Sequence, residues 1–469
     1  MSDAPSVPSL LPLYAFGTWE PLLRAWAHGA GAQPGDGDGD RAGAVHLAGA
    51  IGRDRWTSST GARPRGRASA AERKAVELVR GALTAAGVES VTFSARITPS
   101  GEARLRVMGP SPAVESGPVG DGTLLLVEGA VPEPWRRLPE PNTAARPAPS
   151  ADPAALERLL RERLPGAVGA GDEEIAAAEA RLGVTLPDEL KALYRVVPAR
   201  WDDWQGDDYE ARDVVDETVG CELFALDGLY VADAASRPAP WRFAACEAVV
   251  TLPGDAVQCL VGSPGWIVFG DNGGGDRLAV DLTPGPAGHV GQLVLLGHES
   301  YIGAELIADS LTDLVRRREP RTRKTRRRDE RRAVAHVNVA HLQSIEAAAH
   351  PELEVLCVGV WEDQPVDLTP AVGLPRLRTL TAYPGTLADP RQIGRLTGLE
   401  YLELGPQEWR TLLDADAVPR GLTAAGITTH GLRDYGQLVD LSNEILALYG
   451  RPPIVRTVIT GDLGPLPFA

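Results

Sequence analysis

The sequence predicts a multidomain α+β protein. It has a central unit of helices followed by a mostly antiparallel sheet, then a short repeating α/β array. Three observations predict this. Residues 173–197 carry apolar side chains at helical spacing, and residues 264–282 follow as strand, glycine-rich turn and strand. An L-x-x-L-x-(apolar) frame recurs three times between Leu353 and Leu404. Two compositional breaks, Pro/Ala-rich at 132–153 and basic at 316–332, set these regions apart. A chain of 469 residues is long for a single core, so two to four domains are expected.

Residues 10–26 are mostly apolar, with Pro12 and Pro21 interrupting a helical reading. Residues 31–40 contain Asp36, Asp38 and Asp40 alternating with glycine; the twelfth position counted from Asp36 is Leu47, not the Glu that a calcium loop requires, so a flexible acidic loop is expected. Residues 69–87 predict a helix with Ala75, Val76, Val79, Leu83 and Ala86 on one side. Strands are expected at 90–97, 103–108 and 123–127. Together residues 1–131 read as a small α+β unit without a functional motif. The composition of 132–153 reads as a linker.

The next domain is expected at 154–315. Ile175, Ala178 and Leu182 form a helical stripe, and Glu173 and Glu174 lie near its start, where the helix dipole favours negative charge. Gly183 suits the position just past the helix end because it tolerates positive φ. Pro187 cannot continue that helix, and Asp188 offers an acceptor to the first N–H groups of a second one. Leu190, Leu193 and Tyr194 give the second helix its apolar face. Strands are expected at 266–269, 277–281 and 292–296, with residues 270–276 turning between the first two. A calcium loop counted from Asp271 would need Glu at Leu282, so the EF-hand reading fails. Residues 301–315 read as a closing helix, with Ile302, Leu306, Ser310, Leu311 and Leu314 near one face.

Residues 201–233 hold eleven Asp/Glu against the single Arg212, with Trp201, Trp204 and Tyr209 interleaved. Aromatic anchors ringed by carboxylates suit a basic protein surface: the rings supply buried area and the charge steers encounter. The candidate partner-binding residues are therefore Trp201, Asp202, Asp203, Trp204, Asp207, Asp208, Tyr209 and Glu210. The alternative is that the tryptophans belong to the core and the acids keep a loop soluble.

Residues 316–332 hold eleven Lys/Arg and three Asp/Glu, leaving 36 basic against 60 acidic residues elsewhere. No aromatic residue is interleaved and no base-reading motif accompanies the run, so a solvated basic connector is expected and nucleic acid is an unlikely partner. In residues 333–469 the repeated frames begin at Leu353, Leu377 and Leu399. Residues 433–449 predict a capping helix with Leu438, Leu441, Ile445 and Leu448 on one face.

Two family resemblances attach to these segments. The Leu182-Gly-Val-Thr-Leu-Pro187 element, followed by a strand, an Asp/Gly-rich turn and a strand ending in Asp281-Leu282, resembles the SUKH superfamily of cell-wall-assembly regulators and bacterial immunity proteins. Gly183, Leu186, Pro187, Trp266, Asp271, Gly275, Asp276 and Asp281 carry this motif, as structural positions. The resemblance implies a non-enzymatic, protein-binding protein: foremost an immunity protein that neutralises a toxin, with a basic toxin domain as partner. The alternative it implies is an intracellular adaptor or regulator of the cell-wall-assembly type. The C-terminal frames, spaced 24 and 22 residues apart, look like a degenerate leucine-rich-repeat array. Its usual Asn is absent near Gly359, Tyr383 and Gly405.

Composition closes off other classes. The formal charge is −16, and the four cysteines form no C-x-x-C, so neither a redox pair nor a zinc knuckle is indicated. No apolar run reaches the ~20 residues that span a bilayer, and a cytoplasmic, membrane-free protein is expected. The eight histidines are scattered, without H-E-x-x-H, G-x-S-x-G or phosphate-loop patterns. No catalytic, cofactor or metal residues are expected, and no small-molecule substrate. His298-Glu299-Ser300 reads as a surface turn. An enzyme would have to reside in residues 1–150, whose chemistry the sequence does not disclose.

Overall fold

The computed structural model describes residues 12–29, 44–53, 56–58, 70–109, 111–115, 122–200, 209–317, 333–361, 364–428 and 435–465. The fold is mixed α+β, in two compact units. One comprises Met1–Ala130, His336–Pro351 and Leu356–Ala469; the other comprises Val131–Ala335 and Glu352–Val355.

In the first unit, helix α1 (Phe16–Gly29) runs through Pro21. Strands β1 (Val45–Gly52) and β2 (Trp56–Ser58) precede helix α2 (Ala70–Ala86), and β3 (Ser90–Ile97) and β4 (Glu102–Met108) follow it. These strands pair antiparallel in the order β4-β3-β1-β2. The periodicity of α2 sets its buried side: Ala75, Val76, Val79 and Leu83 are all buried, joined by Trp19, Leu22, Leu23 and Trp26 of α1 over Phe93. Glu72, also fully buried, accepts a hydrogen bond from the Trp26 indole N–H at 2.8 Å, which satisfies both polar groups inside that core. Short strands β5 (Val114–Glu115) and β6 (Thr123–Leu125) come next.

The second unit holds helices α3 (Glu133–Arg136), α4 (Pro153–Arg163), α5 (Asp172–Leu182), α6 (Asp188–Tyr194) and α7 (Tyr209–Val219). Strands β7 (Glu222–Leu223) and β8 (Tyr230–Val231) and helix α8 (Trp241–Ala244) lead to β9 (Trp266–Asp271), β10 (Arg277–Asp281), β11 (Gln292–Leu296) and β12 (Glu305–Ala308). Helix α9 (Leu311–Arg317) follows. The sheet order is β12-β11-β10-β9-β7, antiparallel throughout, with β8 also on β9. Alternation sorts its side chains onto two faces. Ile267, Phe269, Leu278, Val280 and Leu293 pack under helices α4 to α7 and α9. Trp266, Val268, Ala279, Val294 and Leu296 pack on the opposite face with Ala232, Val257 and Leu260. Both faces are therefore covered, which is why the strands read as unbroken apolar runs.

Three expectations change here. Residues 301–315 are not one helix: Gly303 sits at φ 79°, and β12 precedes α9. Leu306 and Ile307 enter opposite cores, a period of two that helical templates misread. Asp188 does not cap α6; the cap position is Pro187, which offers no side-chain acceptor. The stretch 132–153, read as a linker, lies against the second unit. There the Trp135 indole N–H donates to Arg237 O, Glu140 N to Gln258 Oε1, and Asn142 Nδ2 to Gly285 O, at 2.8–2.9 Å.

Returning to the first unit, strands β13 (Val334–Val337), β14 (Val355–Val358), β15 (Thr379–Ala382), β16 (Tyr401–Leu404) and β17 (Ala424–Ile427) form a sheet ordered β13-β14-β15-β16-β17-β6-β5. Pairings β15–β16 and β16–β17 are parallel. The frames at 353, 377 and 399 each fall on one of these strands. A fourth falls on β17, where Ala425 stands opposite Leu402 in place of the expected leucine. β6 pairs antiparallel with β17 and β5 with β6, so early residues close the array. Strand β18 (Arg456–Asp462) returns to β4, pairing from Arg456↔Met108 to Asp462↔Glu102.

The β18 pairing means that the chain's last described strand shares the core of its first helices, through Ile459 and Leu463. Ile459→Ala should therefore loosen residues 102–108 and cost about 2–4 kcal/mol. Hydrogen exchange of the β4 amides measures this, and protection equal to wild type would show that β18 is dispensable.

Candidate protein-binding site

The motif segments meet in the second unit. Helix α5 ends at Gly183, whose φ of 71° places it in the left-handed region, and its N–H donates to Glu179 O. The chain then turns into α6. The Glu179 carboxylate holds that turn by accepting from Leu186 N at 2.8 Å and pairing with Lys191 Nζ at 2.7 Å, and its pKa is lowered chiefly by the lysine. Leu186 is buried, and Tyr194 donates its hydroxyl to Phe224 O at 2.7 Å from a fully buried position, where loss of solvent pushes the phenol up.

Glu189, which sequence reading passes over, accepts four hydrogen bonds. Its Oε1 accepts from Asp152 N at 3.2 Å, Thr312 N at 3.1 Å and the Thr312 hydroxyl; its Oε2 accepts from Leu311 N at 3.0 Å. It is 7% exposed. One carboxylate thus fastens the starts of α4 and α9 to α6. Arg237 plays a parallel part elsewhere. Its buried guanidinium donates to the carbonyls of Val261, Gly303, Gly297 and Ser300, and burial lowers its pKa to about 10.

The glycine-rich turn between β9 and β10 satisfies itself. Asp271 accepts from Gly273 N and Gly275 N at 2.7 and 3.3 Å and from the Arg277 guanidinium. Arg277 also stacks 5.6 Å above the Phe224 ring. Asp276 accepts from His298 N at 2.9 Å and lies 2.7 Å from His298 Nδ1, so its carboxyl is held below the usual range, first by that backbone N–H. Gly275 has φ 99°, a conformation that side chains rarely adopt. Asp281 is fully buried opposite Trp266, and accepts from Thr283 N, the Thr283 hydroxyl and Gln292 Nε2 at 2.8–3.2 Å. Burial nevertheless raises its pKa to about 6. The Trp266 indole N–H biases this carboxylate toward its charged form without meeting hydrogen-bond geometry. Each of these acids is occupied by the fold itself.

Of the nominated partner-binding residues, Trp201, Asp202, Asp203, Trp204, Asp207 and Asp208 lie outside the described residues, as does most of the basic run. Tyr209 and Glu210 open α7, and their side chains are likewise outside the description. The rest of α7 is informative. Val215 and Val219 face the core, while Asp213, Val214 and Glu217 are exposed. Asp216 is half-buried: burial raises its pKa, and its Oδ1 accepts from Leu223 N at 2.7 Å, tying α7 to β7. Edge strand β7 places Glu222 opposite Asp271, exposed and beside Gly273. Asp213, Glu217 and Glu222 thus add open carboxylates on α7 and β7, downstream of the acidic stretch in the sequence. Sequence reading did not single these three out, although the (i, i+4) pairs Asp213/Glu217 and Val215/Val219 carried the signal.

Chemically, the edge offers negative charge. The carboxylates near the turn are bonded internally, whereas Asp213 and Glu217 on α7 and Glu222 on β7 are open. Among the described residues, no three His, Cys, Asp or Glu are grouped to hold a metal ion. No helix there is long and apolar enough to cross a membrane.

Residues 169–317 match the SMI1 / KNR4 family (SUKH-1). The chain is similar to a glucan synthesis regulatory protein of Neurospora crassa, 37% identical over 78 residues, covering 17% of this chain and 15% of that one. It is similar to the cell wall biosynthesis/cell cycle regulator smi1 of Schizosaccharomyces pombe, 42% identical over 64 residues and 13% of each chain. It also resembles KNR4/SMI1 homolog 2 of Debaryomyces hansenii, 35% identical over 65 residues, covering 14% of this chain and 11% of that one. The chain thus spans less than a sixth of the length of these relatives. The first two of these relatives bear the names of fungal regulators, which favours the regulator alternative over the immunity reading.

Two measurements test the site's architecture. Glu189→Ala orphans three backbone donors and should cost roughly 3–5 kcal/mol of second-unit stability, with Glu189→Gln intermediate. Denaturant melts with no change for either variant would contradict the node. For Asp281, the folded state keeps a proton that the unfolded chain has released between about pH 4 and pH 6. Stability should therefore fall as pH rises through that window and level off above it. Asp281→Asn should remove this component of the slope; a slope unchanged in the variant would show that another group is responsible.

Proposed function

We propose, on the premise that the chain carries a SUKH-1 domain at residues 169–317, that it is a non-enzymatic regulatory adaptor. In this reading the domain docks another protein through the acidic edge built by α7 and β7. The observation that carries it is the division of labour among the acids. Those of the glycine-rich turn and its strand, Asp271, Asp276 and Asp281, are consumed in internal hydrogen bonds. Asp213, Glu217 and Glu222, which follow residues 201–208 in the sequence, face solvent. A surface of that sign recruits and orients a basic partner more than it adds raw affinity.

The aromatic residues Trp201, Trp204 and Tyr209 belong to this proposal as anchors, with Asp202, Asp203, Asp207, Asp208 and Glu210 beside them. The parallel strands β15 to β17 support a reading of residues 333–469 as a short leucine-rich-repeat array, whose strand-bearing face would offer a second docking surface. The names of the fungal relatives point the adaptor toward control of cell-wall assembly.

The test is capture of partners by the full-length protein and by the triple variant Asp213→Lys, Glu217→Lys, Glu222→Lys. Association of the wild type should slow as salt rises, and the variant should bind at least ~10-fold more slowly with a flattened salt dependence. Equal capture by both proteins would remove this edge from the interface. Recovery of a small basic toxin domain in place of signalling or envelope proteins would restore the immunity reading.

A further inference from the structure

His336 on β13 and Cys357 on β14 stand side by side on one face of the first unit's sheet. Gly359 N donates to Val337 O at 2.9 Å and Tyr383 N to Val358 O at 2.8 Å. These two bonds align His336, Cys357 and Thr381 across three strands, and Thr381 pairs in turn with Glu403. The His336 and Cys357 side chains hydrogen-bond, and the thiol contact holds the imidazole above its ordinary value despite partial burial. The His341 ring lies 5.8 Å from that of His336, and its Nδ1 is 3.0 Å from Asn338 Oδ1. Cys357 is half-buried and His336 exposed, so a small reagent can reach the pair. Cys221 is the opposite case. It is buried, and loss of solvent together with Asp216 and Glu222 pushes its thiol far up.

We propose that Cys357 is a nucleophilic thiol activated by His336, and that it is a modification site for small hydroperoxides. An adjacent imidazolium stabilises a thiolate, and the stabilisation is mutual. The thiolate sulfur attacks the distal peroxide oxygen. An S–O bond forms, the O–O bond breaks, and the departing alkoxide takes the proton of His336. The products are a Cys357 sulfenic acid, an alcohol and a neutral imidazole. Sulfur loses two electrons and the peroxide gains them. Glu403 lies two strands, roughly 10 Å, from Cys357, whereas His336 touches it and His341 lies behind His336.

Iodoacetamide alkylation of the full-length protein, read at each cysteine by mass spectrometry across pH, tests this. Cys357 should react about tenfold faster at pH 7 than Cys246 or Cys259, with a midpoint below the ordinary thiol value of about 8.5. His336→Asn should slow it about tenfold at pH 7 and return the midpoint to the ordinary range. Retained protection of Cys221 and a native circular dichroism spectrum establish that the variant is folded. Hydrogen peroxide followed by dimedone should label Cys357 in the wild type and far less in His336→Asn. A wild-type midpoint at or above the ordinary thiol value overturns the proposal whatever the variant does. So does an unchanged profile in a folded His336→Asn protein.

Discussion

The second unit depends on one carboxylate accepting four hydrogen bonds. Glu189 lies on α6, and its acceptors are taken by the N–H groups of Asp152, Leu311 and Thr312 and by the Thr312 hydroxyl. Helix starts expose N–H groups that have no partner within the helix. Most helices solve this with a local cap; α4 does so in part, since Ala155 N donates to Asp152 Oδ1. Here a single buried acid serves two helices far apart in sequence. A charged acceptor makes the stronger kind of hydrogen bond, which offsets the cost of removing the carboxylate from water. With the helices fixed in this way, the apolar row Leu156, Leu160, Leu190, Leu193, Leu311 and Leu314 can close over the sheet.

That closure leaves little of the sheet for a partner. One face carries the helices and the other carries the residues around Ala232, Val257 and Leu260. In the proposed reading, binding falls to the rim, where α7 and β7 present open acids and Glu222 stands beside the glycine-rich turn. Trp266 and Asp281, which motif reading highlights, are fully buried and serve the fold. The tight turn also shows why glycine is required at Gly275, with its φ of 99°, and why Asp271 folds back onto the turn's own N–H groups. The buried motif positions specify the scaffold, and in the proposed reading the partner is met by other, exposed residues of the same matched segment.

The first unit is assembled by long-range pairing. β18 completes the sheet begun by β1 to β4, and β6 and β5 extend the parallel array through β17. An array of parallel strands has two open edges, and an antiparallel strand from elsewhere in the chain is one way to cover an edge. The L-x-x-L frames report the strands but not these closures.

By itself, the sequence determined the local elements whose signal is short-range. Helix α2, strands β3 and β4, the left-handed Gly183, the hairpin from Trp266 to Asp281 and the leucine frames of β14 to β16 all follow from periodicity and turn chemistry. It also carried enough of the motif for the middle domain to be recognised. Only the tertiary structure decided which acids are free and which are used. Glu189 and Asp213 are the same chemistry in the sequence, each on the early part of a helix, yet one is buried under four donors and the other faces water. That difference is set by what packs against each helix, which for Glu189 comes from 37 to 123 residues away and which no local pattern encodes. The same holds for β12, read as helix because Leu306 was placed on one face with Ile302, Ser310, Leu311 and Leu314 when Leu306 and its neighbour Ile307 enter opposite cores, and for the Cys357–His336 pair, which exists only because separate strands align.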